Sequence, residues 1–479
     1  MDKNFIGRDK EIDILEKYYN SSKSEIVAVY GRRRVGKTYL IRQTMENRFD
    51  FEYVGLYKTA ASIQRQEFQR NIDEHTGVKN KVPKDWFEAF DNLKKYLLSL
   101  NKEKVVIFLD ELPWMDTHRS NFLSAFSSFW NSWKINGPII KLFVCGSATT
   151  WMLDKLIGDK GGLYGRTTRP VYLAPFNLHE TEVYLNQVKD MNYGKQQVLD
   201  TYMIFGGVPF YLDMLDNEIP LSANVDELFF SSNGPLRNEY EFLFRALFKE
   251  SNNYRKVIEI LANKLSGLTR EDIMRGTRIE GGELTRILED LDECDFIRCY
   301  ADPVKKERSK VYQLTDMFSL YYLRFVQNHD GQDEAFWTNL SHTGARNAWS
   351  GYAFEQVCLH HINQIKQKLG ISGILSNAYA WSSKAFTDDD GTEWKGGQID
   401  LIIDRNDNVM NLCEMKYSQD EYVIDSDYAE RIRQRTQLFK RVVKTKKDLR
   451  CTFITLYGVK KNVNSGIVSN QIMLGDLFV

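Results

Sequence analysis

The sequence is poor in the features that mark disulfide-bonded or zinc-binding proteins. Its 479 residues include six cysteines, and no two of them form a CxxC pair. Cysteines scattered in this way are more typical of reduced, buried thiols than of disulfides or a zinc site. We therefore expect neither a structural zinc ion nor a disulfide framework.

Long apolar segments are absent as well. No segment approaches the roughly 20 apolar residues that a membrane-spanning helix requires, and the first residues lack the apolar core of a signal peptide. The sequence therefore predicts no membrane partner and a cytoplasmic location.

The chain also has no excess of charge of one sign, since its formal net charge is −1. This value neither supports nor excludes a nucleic-acid partner, because such binding depends on local clusters of Lys and Arg. With 43% hydrophobic and 27% charged residues, the composition is that of a globular protein. A chain of 479 residues exceeds what one hydrophobic core usually serves, so two or three domains are expected.

The first third of the chain alternates short apolar segments with helical patterns. Three of these segments lie at residues 26–29, 105–109 and 142–145. Continuous apolar strands of this kind are typical of a parallel sheet that is covered on both faces. The sequence therefore predicts an α/β fold for this region.

A glycine-rich loop follows the first of these segments. Its sequence, GRRRVGKT, fits the pattern GxxxxGK[ST] and lies between a predicted strand and a predicted helix, as the motif requires. We expect its backbone amides and Lys37 to bind the phosphates of ATP, and the hydroxyl of Thr38 to bind Mg²⁺. The predicted ATP-binding residues of this loop are Gly31, Arg32, Arg33, Arg34, Val35, Gly36, Lys37 and Thr38.

Two acidic residues end the second apolar segment. Asp110 is expected to hold Mg²⁺ through water, and Glu111 to polarise the attacking water as a catalytic residue. The third segment ends at Gly146 and Ser147, where the hydroxyl of Ser147 either senses the γ-phosphate or is satisfied locally. Together with the loop, these residues predict a P-loop ATPase.

Five short motifs occur together in the first half of the chain. They are FIGRDKE at 5–11, DE at 110–111, GS at 146–147, LYGR at 163–166 and GGVP at 206–209. This combination resembles the archaeal-type ATPases, relatives of the AAA+ and STAND nucleotide switches. The resemblance implies that Arg166 is a trigger or finger arginine, the alternative being a structural ion pair, and that Pro209 lies near the adenine. The three consecutive arginines of the loop are expected to be solvated, or else to contact a partner or nucleic acid.

The middle of the chain contains two helical regions. Residues 176–250 have a mostly helical pattern that glycines interrupt near its centre, and we interpret them as a helical lid. Residues 251–316 contain three predicted helices, followed by two predicted strands at 296–300 and 310–314. This order suggests a winged helix-turn-helix that binds DNA.

The charge of the predicted winged helix is balanced. Residues 253–312 contain 12 Lys and Arg against 12 Asp and Glu, so any binding to DNA should be modest and local. The cations expected to contribute are Arg278, Arg286, Lys305, Lys306, Arg308 and Lys310. A protein-docking or structural role is the alternative.

A second set of acidic residues lies near the carboxyl end. Asp400 and Glu414 fall on two neighbouring predicted strands, and if the hairpin turns about Asp407 they face each other, with Lys416 on the same face. Two carboxylates at this spacing can hold one Mg²⁺, beside which Lys416 would be catalytic. Glu355, on the preceding predicted helix, is a further candidate ligand.

These four residues together resemble the PD-(D/E)XK nuclease superfamily, with Ile399 in place of the proline that precedes the aspartate. Residues from about 310 onward also resemble the carboxy-terminal domain often fused to archaeal-type ATPases. The resemblance implies a restriction-endonuclease-like α/β domain with Mg²⁺-dependent cleavage of DNA. The alternative is a degenerate nuclease fold whose carboxylates merely face solvent.

The leading hypothesis is an ATP-controlled DNA-processing enzyme. It predicts a P-loop ATPase core at 1–175, a helical lid at 176–250, a winged helix at 251–316 and a nuclease-like domain at 317–479. One alternative is a non-cleaving regulator in which ATP governs the binding of DNA or protein, and another is a peptide-sensing signalling ATPase. A homo-oligomer or a protein partner is compatible with each of them.

Overall fold

The computed structural model describes residues 7–133, 137–158, 166–248, 250–264, 266–301, 310–388 and 391–479. The chain divides into two compact units, Met1–Pro175 and Phe176–Val479. Within the described residues, every helix is too short or too polar to cross a membrane.

The first unit is built on a parallel sheet of five strands, in the order β2-β3-β4-β1-β5. The strands are β1 (Glu25–Tyr30), β2 (Phe51–Val54), β3 (Lys104–Asp110), β4 (Ile139–Gly146) and β5 (Arg169–Tyr172). The three predicted strands correspond to β1, β3 and β4. The unit therefore has the α/β arrangement and parallel sheet typical of the P-loop ATPase fold.

Helices cover both faces of this sheet, because alternate strand residues are apolar on each side. Ile26 and Ala28 pack into the core on one face, while Val27 and Val29 pack with Leu40 on the other. The helices are α1 (Asp9–Tyr19), α2 (Lys37–Thr44), α3 (Ala61–Thr76), α4 (Trp86–Ser99), α5 (Leu112–Met115), α6 (Phe122–Asn131) and α7 (Thr149–Trp151), followed by a π-helical segment, Met152–Ile157.

The second unit begins with the helical region that was interpreted as a lid. Its helices are α8 (Leu178–Val183), α9 (Lys195–Phe205), α10 (Pro209–Asp213), α11 (Leu221–Val225) and α12 (Glu239–Leu247), with π-helical segments at Tyr184–Val188 and Asp226–Phe230. Helix α9 ends at two glycines with positive φ, 67° at Gly206 and 66° at Gly207. A Cβ at Gly207 would lie 2.1 Å from the carbonyl oxygen of Phe176, so the chain can turn here only with glycine.

Three helices and a small sheet follow. They are α13 (Ser251–Ala262), β6 (Leu268–Thr269), α14 (Arg270–Thr277), α15 (Gly281–Glu293), β7 (Ile297–Ala301) and β8 (Lys310–Leu314). The sheet is antiparallel, in the order β6-β8-β7. Strand β6 was not predicted, because two residues are too few for a periodic pattern. The predicted basic loop, with Lys305, Lys306 and Arg308, lies outside the described residues.

The last part of the second unit is a mixed five-stranded sheet in the order β15-β14-β13-β12-β9. Its strands are β9 (Ser376–Ser383), β12 (Gly397–Arg405), β13 (Val409–Lys416), β14 (Asp448–Thr455) and β15 (Asn470–Met473), and a separate hairpin is formed by β10 (Phe386–Thr387) and β11 (Glu393–Trp394). The helices are α16 (Met317–Tyr321), α17 (Phe336–Asn339), α18 (Gly344–His360), α19 (Ile362–Lys368) and α20 (Ser426–Val443), with a π-helical segment at Tyr322–Val326 and 3-10 turns at Ser465–Ile467 and Leu474–Leu477.

Two helices cover the faces of this mixed sheet. Phe354 of α18 packs in the same core as Leu401 and Cys413, whereas Phe439 of α20 packs with Ile402 and other residues of the opposite face. The core on the α18 side continues without interruption through the lid helices and the three-helix region. The internal boundaries expected at 250 and 316 therefore remain predictions.

Candidate functional site

The glycine-rich loop joins the end of β1 to the start of α2. Gly31 has a φ of 139°, and a Cβ there would lie 2.4 Å from the carbonyl oxygen of Leu173. Gly36 has a φ of 90°, and no atom lies within 4 Å of the position its Cβ would take. The Nζ of Lys37 donates to the carbonyl oxygens of Gly31 at 2.9 Å and Arg32 at 2.8 Å. The loop thus has an open side over Gly36 and a cation held across it, as a phosphate site requires.

The hydroxyl of Thr38 and the carboxylate of Asp110 lie side by side at the carboxyl edge of the sheet. Thr38 donates to Oδ2 of Asp110 at 2.9 Å. The other oxygen, Oδ1, accepts the backbone N–H of Glu111 at 2.8 Å and the thiol of Cys145. Burial raises the pKa of the Cys145 thiol well above its usual value, so the thiol remains a donor. A hydroxyl beside an anchored carboxylate is the oxygen donor set that Mg²⁺ prefers.

Glu111 is held by the end of the neighbouring strand. Its Oε2 accepts the backbone N–H of Ser147 at 3.1 Å and the hydroxyl of Ser147 at 3.0 Å. Of the two roles considered for Ser147, local satisfaction is the one observed, and the partner is the predicted catalytic carboxylate. Glu111 itself has a φ of 46°, a left-handed conformation that turns the chain sharply after β3.

The three consecutive arginines of the loop differ in burial. Arg32 is 2% exposed, whereas Arg33 and Arg34 are half-buried. The expectation that all three are solvated is therefore wrong for Arg32. Arg32 directly follows the buried Gly31, and its side chain lies in the interior of the unit.

Arg166 lies at the edge of the sheet opposite the glycine-rich loop. It is exposed and precedes β5, and two residues later Thr168 donates its N–H to Ile26 at the amino end of β1. The loop begins at Gly31, five residues after Ile26 and so roughly 17 Å away at about 3.3 Å per residue. Arg166 therefore does not reach the phosphate site of its own chain, and a finger role in a neighbouring copy remains a prediction. Pro209 begins α10 in the second unit, and its expected position near the adenine also remains a prediction.

The predicted carboxylate pair is interrupted by a β-bulge. The pairing of Leu401 with Cys413 would place Asp400 opposite Glu414, as the sequence suggested. However, the register of β12 against β9 shifts between Ile399 and Ile402, and these two residues pack in the same core on the α20 side. The bulge breaks the alternation of side chains. Asp400 instead lines a cleft of about 370 Å³ together with Glu355 of α18.

Glu414 is bound by residues of α20. Its carboxylate is 7% exposed, accepts the hydroxyl of Tyr428 at 2.7 Å and forms an ion pair with Arg435. Lys416, two residues further along β13, lies over the ring of Tyr428 with its Nζ 5.4 Å from the ring centroid. The guanidinium of Arg435 thus supplies the positive charge that a metal ion would otherwise bring to Glu414.

Within the part of the chain that is described, no three His, Cys, Asp or Glu side chains are arranged to hold a metal ion. The expected Mg²⁺ centre formed by Glu355, Asp400 and Glu414 is therefore not assembled here. The groups still influence one another, because burial, then repulsion from Asp400, raises the pKa of Glu355 to about 8, with Lys416 opposing this shift.

Sequence reasoning missed Tyr428 and Arg435 at this site. The two are seven residues apart on α20, which is close to two helical turns, so they lie on one face of the helix. Sequence reasoning also missed Cys145, which precedes Ser147 by two residues and so follows the alternation of β4. In both cases residue spacing was a usable signal, but it did not identify the partner.

Several hydrogen bonds join the lid helices to the carboxy-terminal part of the second unit, and two of them involve groups with shifted pKa values. Nε2 of His361 accepts the N–H of Leu178, at the start of α8, at 3.0 Å. Burial lowers the pKa of His361 to about 4, which keeps this nitrogen an acceptor. The hydroxyl of Tyr417 donates to Asp200 of α9 at 2.8 Å, and burial raises the pKa of Asp200 to about 6.

Residues 5–215 match the family described as an ATPase domain predominantly from Archaea. The chain contains an archaeal-type ATPase domain. The matched range includes the loop, Asp110, Glu111 and Ser147, so the hydrogen-bonded network described above lies within this ATPase domain.

Two curated proteins and one solved structure illustrate what this chain is similar to. An uncharacterized protein of Methanocaldococcus jannaschii is 25% identical over 419 residues, which are 86% of this chain and 87% of that protein. An uncharacterized ATP-binding protein of the same organism is 46% identical over 44 residues, 9% of this chain and 75% of that protein. The Walker-type ATPase of Pyrococcus abyssi is 18% identical, with a TM-score of 0.48 over 67% of this chain and 96% of that structure.

Proposed function

We propose that this protein is an ATP-hydrolysing switch that binds duplex DNA. The observation that carries the ATPase part is the bonded network at the carboxyl edge of the first sheet. In it, Thr38 contacts Asp110, and Ser147 holds Glu111. This network brings together polar side chains from α2, from the end of β3 and from the residues that directly follow β3 and β4.

In the proposed reaction, each residue has a separate task. The amides after Gly31 and the ammonium of Lys37 bind the phosphates, which replace the carbonyl oxygens that Lys37 contacts now. Thr38 and Asp110 would hold Mg²⁺, which would neutralise charge on the β- and γ-phosphates. Glu111 orients the attacking water and accepts its proton.

The hydrogen bond between Ser147 and Glu111 suggests how ATP hydrolysis is controlled. While Ser147 donates to Glu111, the carboxylate is engaged and less available to water. Binding of the γ-phosphate gives the Ser147 hydroxyl another acceptor, which would release Glu111. We propose that hydrolysis is held back in this way until ATP is in place.

DNA is the partner that the helix and sheet arrangement of residues 251–314 favours. Three helices followed by an antiparallel hairpin are typical of winged helix-turn-helix modules. Their sheet order, β6-β8-β7, supports this assignment. The proposal is an ATPase whose nucleotide state controls binding of DNA by the second unit.

Cleavage of DNA is a second candidate function. One observation favours it: Glu355, Asp400 and Lys416 lie within electrostatic range of one another beside a cleft. Against it, the carboxylate of Glu414 already forms an ion pair with Arg435. If the site becomes active when Arg435 moves, Asp400→Ala should abolish Mg²⁺-dependent nicking of plasmid DNA, and Lys416→Ala should abolish nicking while sparing metal binding.

The ATPase proposal is tested with Lys37→Ala. This variant should lose ATP hydrolysis by roughly 100-fold or more, because a preorganised charge at the phosphates is removed. Phosphate release and binding of a fluorescent ATP analogue should be measured with and without duplex DNA. Lys81→Ala, at an exposed lysine of the same unit, is the control. Unchanged turnover in Lys37→Ala would overturn the assignment of the loop.

A further inference from the structure

Helix α20, the longest helix that packs on the carboxy-terminal sheet, has a strongly basic exposed face. From 426 to 447 the sequence contains eight Lys and Arg against two Asp and Glu. The proposed ATPase reaction uses none of these cations, and at the carboxylate site Arg435 pairs with Glu414 while Arg431 lies over the ring of Tyr428. The remaining positive charge therefore needs a different explanation.

The exposed residues of α20 form one stripe. Because the helix repeats every 3.6 residues, positions separated by 3, 4, 7, 8 and 11 residues lie on one side. The exposed residues at these positions are Arg433, Gln437, Lys440, Arg441 and Lys444, with Gln434 beside them. The stripe thus has four cations and two amides, and its opposite side packs into the core through Leu438 and Phe439.

The length of the stripe matches a stretch of nucleic-acid backbone. Arg433 and Lys444 are 11 residues apart, or roughly 16 Å along the helix. Duplex DNA carries roughly ten negative charges over this length of its axis. Glutamine and arginine side chains are also suited to bonds with phosphates and base edges.

Some of the cations at this end of α20 are already paired with carboxylates. Nε of Arg441 lies 2.8 Å from Asp388, and Lys447, just beyond the helix, lies 2.5 Å from Asp404. Arg433 forms an exposed ion pair with Glu430 at 3.4 Å, which is weak in water. Arg433, Lys440 and Lys444 are therefore the cations best able to turn to a phosphate.

Helix α15, which a winged helix would insert into the groove of DNA, has the opposite charge. Its exposed charged residues are Glu283, Arg286, Glu289 and Asp292, which give a net negative face. Phosphates would be repelled from it unless these carboxylates were neutralised. Of these two helices of the second unit, α20 is therefore better suited than α15 to bind phosphates.

We propose that α20 is the surface that binds the phosphate backbone of duplex DNA, with Arg433, Lys440 and Lys444 as its main contacts. This inference rests on the proposed DNA-binding function and names the surface responsible. Arg435 of the same helix pairs with Glu414 from the side that faces the sheet, so the proposed DNA surface and the carboxylate site lie on different sides of α20.

The test uses a variant with Arg433→Gln, Lys440→Gln and Lys444→Gln. Binding of a fluorescein-labelled duplex is measured by anisotropy across a salt series. Loss of three phosphate contacts should reduce the slope of log affinity against log salt by about 2.7, and weaken binding at least tenfold at about 0.1 M salt. The matched control, Lys79→Gln, Lys81→Gln and Lys84→Gln, removes three exposed lysines from the first unit and should leave binding unchanged.

A second variant addresses α15, with Glu283→Gln, Glu289→Gln and Asp292→Asn. It should bind DNA much as the wild type does, because α20 supplies the main phosphate contacts in this proposal. Wild-type binding by the α20 variant, or strong tightening in the α15 variant, overturns the inference. If polyglutamate competes as well as an unlabelled duplex, the surface binds polyanions generally and the assignment to DNA is wrong. If the wild type binds no duplex even at low salt, the proposed DNA-binding function fails with it.

ATP turnover and the thermal melt of the α20 variant should equal those of the wild type, which shows that both units are folded. A lower turnover together with weaker DNA binding would mean that the substitutions act on folding. In that case a double variant, Arg433→Lys with Lys440→Arg, becomes the test. It keeps both positive charges, so it must bind DNA normally for the inference to stand.

Discussion

The nucleotide site and the carboxylate site use the same kinds of residue with different results. In the first, the carboxylates of Asp110 and Glu111 each accept bonds from neutral groups: hydroxyls, backbone N–H groups and a thiol. In the second, Glu414 is paired with the cation of Arg435. Neutral donors orient a carboxylate and leave its charge for a metal ion, whereas a guanidinium cancels that charge.

The difference shows that acidic residues in the correct order along a chain do not by themselves make a metal site. Regular parallel strands bring Asp110 and Ser147 to one edge of the first sheet. A bulge in β12 separates Asp400 from Glu414 in the second. What decides the chemistry is the set of neighbours that each carboxylate acquires in the fold.

The sharpest way to test the first site is Glu111→Gln. ATP hydrolysis should fall roughly 100-fold or more while ATP affinity stays within about twofold, because the residue acts on water rather than on phosphate. Ser147→Ala removes the hydroxyl that is proposed to restrain Glu111 until ATP is bound, so Glu111 stays available and the loss should be smaller, less than about tenfold. Single-turnover hydrolysis and nucleotide binding measure the two effects. A loss in Ser147→Ala as large as that in Glu111→Gln would contradict the proposed restraint.

Arg435→Gln should make the carboxylate site resemble the nucleotide site, because Glu414 would then have no cationic partner. Removing one partner of this largely buried pair leaves Glu414 uncompensated, which should lower the free energy of unfolding by about 2–3 kcal/mol. Mg²⁺ or Mn²⁺ should restore part of the lost stability, because a cation again meets the carboxylate. Thermal melts are made in the Lys37→Ala background without nucleotide.

The control for this prediction removes both charges. Glu414→Gln combined with Arg435→Gln should be more stable than Arg435→Gln alone and should not respond to metal ions. A metal response that persists without Glu414 would assign the ion to Asp400 and Glu355 instead.

Cys145 offers a smaller effect within the nucleotide site. Its thiol donates to Asp110, so Cys145→Val, which fills the space without a donor, should raise the Mg²⁺ concentration for half-maximal ATPase activity about three- to tenfold. Cys145→Ser keeps a donor and should change this value less than twofold. A titration of Mg²⁺ at saturating ATP distinguishes the two. Identical behaviour of the two variants would show that the thiol only packs.

The smallest effect concerns pH. The pKa of Glu355 is raised to about 8, above the value of about 4.3 for an unfolded glutamate. Between these values the folded chain holds an extra proton, so this residue makes stability fall as pH rises through the window. Glu355→Gln should therefore raise Tm at about pH 8 relative to the wild type and leave it nearly unchanged near pH 4. The control is Glu430→Gln, at an exposed position.

The sequence was most informative where strands are long and buried. Segments 26–29, 105–109 and 142–145 correspond to β1, β3 and β4, while β2 and β5 were missed because each has four residues and a mixed pattern. Pairing of β12 with β13 was also predicted in the observed register. The bulge was not predictable, because it depends on how β12 meets β9, a strand that the sequence pattern did not show.

Side-chain partners were the least predictable part of both sites. The alternation of β4 indicated that Cys145 and Ser147 share a face, but not that both donate to carboxylates of β3. Likewise, helical spacing places Tyr428 and Arg435 together without naming Glu414 as their acceptor. These contacts depend on the distance between elements, which no local pattern encodes.

The hydrogen bonds from Tyr417 to Asp200 and from Leu178 to His361 bear on how the protein can be divided experimentally. A fragment that starts near residue 317 would lose both partners and expose the apolar side of α18. Such a fragment should be insoluble when expressed, whereas one that starts near residue 176 keeps the whole second unit. The autonomous module is thus larger than the nuclease-like segment, and truncation studies should be planned around residue 176.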